Sequence, residues 1–226
     1  MLLAFVPFVL ILMIGVAISR SRRAARAAGL RNAGQAGFVE AMEEGARLTS
    51  LAEKQRAYDK AADLALRHFG RFSHERHQAM MLAAEAYAEA DEAQPATARL
   101  EAAIAIDRRL GADPLVLADA LCWLSLLHPN NDAAYRAASE ALALSRRALG
   151  KADPLHLNLG LTVAPALLRS GHGVEAEALF RAALEVDPQA DPSLARRARL
   201  DFITFLETGD RADEAERLRD EVKALG

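Results

Sequence analysis

From about residue 38 onward, apolar and small side chains recur at three- and four-residue spacing. Ala96, Leu100 and Ala103 form one such triad, Ala134, Ala138 and Ala141 a second, and Ala176, Phe180 and Ala183 a third. This spacing puts each triad on one face of a helix. Ahead of each triad lies another apolar-striped segment: Ala84 and Tyr87, then Leu121, Cys122 and Ser125, then Val163, Ala164 and Leu167. Two of the breaks between halves are His128-Pro129-Asn130-Asn131 and Ser170-Gly171-His172-Gly173. The pattern predicts helices in pairs.

The start and stop signals share one period. Asp113-Pro114, Asp153-Pro154 and Asp191-Pro192 each set a capping acceptor before a proline suited to the first helical position. Ser73-His74 holds the same place earlier. The steps between caps 73, 113, 153 and 191 are 40, 40 and 38 residues. Phe69-Gly70, Leu110-Gly111 and Leu149-Gly150 precede three of them as helix stops. Both ends of the array are weaker. Phe38 to Leu48 predicts a short first helix, with Tyr58, Ala61 and Ala65 on a second. Phe202, Phe205 and Gly209 lead into a degenerate last helix through Leu218 and Val222.

Leu157 to Ala190 is the most regular copy. Its small residues, its central Gly171 and its closing Asp187-Pro188 resemble the tetratricopeptide repeat, a helix–turn–helix unit of 34 residues. The longer period, with Leu-Gly before Asp-Pro, is similar to the repeats of kinesin light chains. The resemblance implies an all-α solenoid over residues 38–226, with first helices lining a concave groove that takes a protein or peptide. Mapped from the packing positions, the groove set is Gln78, Met81, Glu85, Asp119, Trp123, Leu126, Asn158, Leu161, Arg169, Arg196, Arg199 and Ile203. Pro165 stands inside the first helix of this best copy. There it removes one backbone hydrogen bond and crowds the Leu161 carbonyl, as a device for ligand contact or as a tolerated irregularity.

Composition agrees with an all-α reading: 52% of residues are apolar, 26% charged and only 5% aromatic, with few β-branched runs. The net charge of −3 is unevenly spread. Residues 1–31 hold five Arg and no acid, which leaves the remainder with 23 basic and 31 acidic residues. An acidic repeat region is a poor fit to nucleic acid. Met1 to Ile18 carries no charge, and at helical rise 18 residues span about 27 Å against a hydrocarbon core of about 30 Å. Residues 1–20 therefore read as a retained transmembrane anchor, and 21–37 as a basic juxtamembrane segment and linker. Arg20, Arg22, Arg23 and Arg26 follow the apolar run, so the positive-inside rule puts the N-terminus outside and the repeats in the cytoplasm. This layout resembles anchored repeat proteins of the bacterial inner membrane. An exported repeat chaperone of the opposite topology is the alternative.

Catalytic signals are lacking: no Gly-rich phosphate loop, no G-x-S-x-G and no H-E-x-x-H occurs. Cys122 is the one cysteine and lies between Leu121 and Trp123, as a small buried hydrophobe would. His74 and His77 could share a helix face, but a metal needs further ligands that the spacing does not supply. The chain reads as a scaffold, not an enzyme, with no cofactor and no metal. Its partner is a protein or peptide, and a homo-oligomer is compatible with the pattern.

Overall fold

The computed structural model describes residues 33–209 and 211–224. Among the described residues the chain forms ten α-helices and no strand. In order they are α1 Ala33–Arg47, α2 Leu51–His68, α3 His74–Glu89, α4 Ala93–Leu110, α5 Pro114–Leu127, α6 Asn131–Leu149, α7 Pro154–Arg169, α8 Gly173–Leu184, α9 Pro192–Thr208 and α10 Ala212–Ala224. Each helix packs on the next, giving five antiparallel pairs stacked into an all-α solenoid.

Local chemistry sets the ends. The Asp113 carboxylate accepts from the Leu115 N–H at 2.8 Å, Asp153 from Leu155 at 2.8 Å and Asp191 from Leu194 at 3.0 Å, while the Ser73 hydroxyl accepts from Arg76 at 3.2 Å. At Gly111 the chain leaves α4 with φ 65°, a left-handed value that a Cβ would disfavour. α8 stops at Leu184, ahead of Pro188, because the chain already turns through Glu185 and Val186.

The triads seen in the sequence are the spine of the core. All of their members are fully buried except Phe180, at 3% exposure. The second helix of each pair buries one such stripe. First helices work differently. α3 turns Ala79, Leu82, Ala83 and Ala86 toward a cluster with Phe38, Met42 and Tyr58, and turns Met81 and Ala84 toward the larger cluster that runs to Leu218. Met80 touches both clusters. A helix gripped from two sides has no single apolar face.

Two expectations change here. Gly34 and Gly37 lie inside α1 rather than in a linker, and a Cβ on Gly34 would fall 2.1 Å from the His68 ring, so the glycine lets α1 close on the end of α2. The expectation of a single-pass membrane protein, with its N-terminus outside and its repeats at the cytoplasmic face of a bacterial inner membrane, is corrected. Among the described residues no helix is long and apolar enough to cross a membrane. α5 is the most apolar, but its 14 residues span only about 21 Å, and Ala118 and Ala120 to Ser125 are already buried in the stack. The run 1–20 assigned to the anchor, and most of 21–37, lie outside the described residues.

Candidate functional site

Along α5, α7 and α9 consecutive first helices lie closer together than the second helices behind them, which puts them on the inner side of the stack. These helices carry polar side chains: Asp119 on α5, Asn158 on α7 and Arg197 on α9. Arg197 is the hub: its guanidinium donates to Asn158 Oδ1 at 2.5 Å, Thr162 Oγ1 at 3.0 Å and Asp201 Oδ2 at 3.3 Å. Thr162 follows Asn158, and Asp201 follows Arg197, by one helical turn, so both pairs present one edge of their helices.

Electrostatics describe a recess. Asp119 reaches solvent, yet enough protein surrounds it that loss of hydration raises its pKa above the ordinary aspartate value. Asp201 is raised for the same reason, against the opposing pull of Arg197. The Asp119 carboxylate raises the pKa of the Cys122 thiol and the Arg197 guanidinium lowers it. Burial pushes that thiol up to about 12, so it is not a nucleophile at neutral pH. Among the described residues no group of three or more His, Cys, Asp or Glu is placed to hold a metal ion. His77 Nε2 instead lies 3.0 Å from the buried Asp107 carboxylate, tying α3 to α4.

The residues expected to line the groove divide. Met81 (8% exposed), Trp123 (9%), Leu161 (2%) and Ile203 (7%) sit in the core between helices. Gln78, Glu85 and Leu126 are half-buried, and burial raises the Glu85 pKa, with Glu89 adding to it. Asp119 and Asn158 are the polar side chains of α5 and α7 named above. Arg169 reaches back to the Ser125 and Leu126 carbonyls at 3.0 and 3.1 Å, where it closes the end of α5. Arg196 is exposed, while Arg199 turns away to Glu221 on α10 at 2.9 Å. Arg197, Thr162 and Asp201 are absent from the expected set. The 38-residue step from Asn158 leads to Arg196, and one residue of register, which turns a helix side chain by about 100°, separates it from Arg197.

No family model matches the sequence, and no curated protein matches it. Solved structures do. The nearly identical TPR-like repeats of a Podosopora anserina kinesin light chain share 15% identity at a TM-score of 0.70, over 84% of this chain and 93% of that one. A variant of the same repeats gives 14% and 0.70 over the same shares. BtubC (BKLC) from P. vanneervenii shares 16% at a TM-score of 0.68, over 95% of this chain and 89% of that one. At such identities the likeness shows the fold alone. The fold is a TPR-like helical-repeat solenoid.

Proposed function

We propose that this chain is a protein-interaction scaffold that holds a polypeptide segment along its inner face, across Asp119, Asn158, Thr162, Arg197 and Asp201. The observation that carries the reading is the Arg197 cluster, which joins Asn158 and Thr162 of α7 to Arg197 and Asp201 of α9 across two consecutive first helices. Side chains needed only for packing are apolar at the neighbouring positions, so this polar cluster offers a bound backbone donors and acceptors on two adjacent helices. The TPR-like fold, a stack of repeats with an extended inner surface, supports a protein partner over a small molecule. It also supports a non-catalytic role.

A photo-crosslinking residue placed at Asn158 in the full chain, in its native cell, tests this. Crosslinks to a discrete partner are expected from position 158 and not from Ala143, which is exposed on second helix α6. An added Arg197→Glu substitution should remove them. Equal crosslinking from both positions, or persistence with Arg197→Glu in a folded chain, refutes the inner-face reading.

A further inference from the structure

A second recess lies on other elements. Between second helices α2 and α4 a cleft of about 250 Å³ is lined by Asp59, Ala62 and Asp63 on one side and Ala98, Arg99 and Ala102 on the other, with Met80 of α3 at its floor. It opens where the two hydrophobic clusters meet, at the residue that touches both. Its two charged sides are unequal. Arg99 is fully engaged: it donates to both Asp59 oxygens, at 3.1 and 2.7 Å, and stacks on the Tyr87 ring at 4.6 Å, while the Tyr87 hydroxyl donates to Asp59 at 2.8 Å. Asp63 is exposed and stands in the field of Arg99 without a hydrogen bond or ion pair to any described residue. At the junction of second helices α8 and α10, by contrast, Glu177 and Glu214 are both paired with Arg181 and Arg211.

We propose that this cleft takes a lysine side chain presented by a protein partner. Three alanine walls and a methionine floor match a methylene stem, whose burial along apolar surface leaves the charged head at the rim. The head there meets the exposed Asp63 carboxylate, and because Asp59 and Arg99 neutralise each other the lining residues leave the cleft with one net negative charge. A compact ammonium suits a single carboxylate better than a planar guanidinium, which is built for bidentate pairing. The site is independent of the inner face and stands or falls separately.

The full chain labelled with ¹³C at its methionine methyls reports on it directly, since Met80 is the floor. Titration with acetyl-Gly-Lys-Gly-amide should move the Met80 resonance saturably and leave Met42 in place. The same peptide with norleucine, which keeps the stem and lacks the charge, should bind more weakly. Asp63→Asn should weaken the lysine peptide by about threefold, as expected for one exposed ion pair. Ala98→Leu should block binding by filling the exposed wall. A Met80 methyl that stays still, that responds equally to norleucine, or that keeps its affinity with Asp63→Asn overturns the proposal.

Discussion

Pro165→Ala is expected to stabilise this protein. The helix α7 runs unbroken from Pro154 to Arg169 with Pro165 inside it, and the ring is exposed while Ala164, Ala166 and Leu167 beside it are fully buried. Proline has no N–H to give to the Leu161 carbonyl, and its ring crowds that carbonyl. In a helix interior proline is about 3 kcal/mol less favourable than alanine. Here the neighbouring packing is already adapted to it, and the position is one turn from the helix end, so about 2 kcal/mol is the expected recovery. For a region of this size that corresponds to roughly 4–8 °C in Tm. With a urea slope of about 2 kcal/mol/M the midpoint should rise by about 1 M at unchanged slope. Alanine removes no contact, because the ring it replaces lies at the surface. A midpoint that stays put or falls refutes the reasoning, and shows that the backbone around Leu161 is shaped for proline. If the same substitution also abolished crosslinking from Asn158, the free Leu161 carbonyl would be a ligand contact rather than a tolerated irregularity.

Two further outcomes follow from the core and from one buried histidine. Phe202 is fully buried, with its ring centroid 5.6 Å from Phe180 and 5.9 Å from Phe205. Phe202→Ala should cost about 3–5 kcal/mol, seen first as lost hydrogen-exchange protection in α9 and α10, because an end unit has a neighbour on one side only; uniform loss along the chain would contradict this. His156 is buried on Ser145, whose hydroxyl lies 2.7 Å from its Nδ1, and burial lowers its pKa below the ordinary 6.5, with Arg146 adding to the effect. The unfolded chain therefore takes up the proton first as pH falls. The stability that comes from keeping this ring neutral is complete above about 6.5 and is lost from there down through the folded value. Urea midpoints for the wild type and His156→Asn between pH 8 and pH 5 should converge toward the acid end, and a constant gap would exclude His156 as the cause.

The helical pairs, their period and most of their ends were legible in the chain alone, because the signals are short-range. A carboxylate just before a proline caps whatever follows it, and Gly111 can take a left-handed φ wherever it stands. The stripes Ala96-Leu100-Ala103 and Ala176-Phe180-Ala183 define their buried faces from spacing alone, since each second helix keeps an opposite side exposed to solvent. The inner-face residues needed the tertiary structure. First helices such as α3 and α5 are held on two sides, so their apolar pattern points in no single direction, and Met81, Trp123, Leu161 and Ile203 fall into the core instead of the groove. Among Arg196, Arg197 and Arg199, composition is the same and only rotation differs. Packing of α9 against α7 sends Arg197 to Asn158 and Thr162, and the contact with α10 takes Arg199 to Glu221. Periodicity along the chain determined that this protein is a stack of helix pairs; contacts between neighbouring pairs decided which side chains that stack buries and which it leaves at its surface.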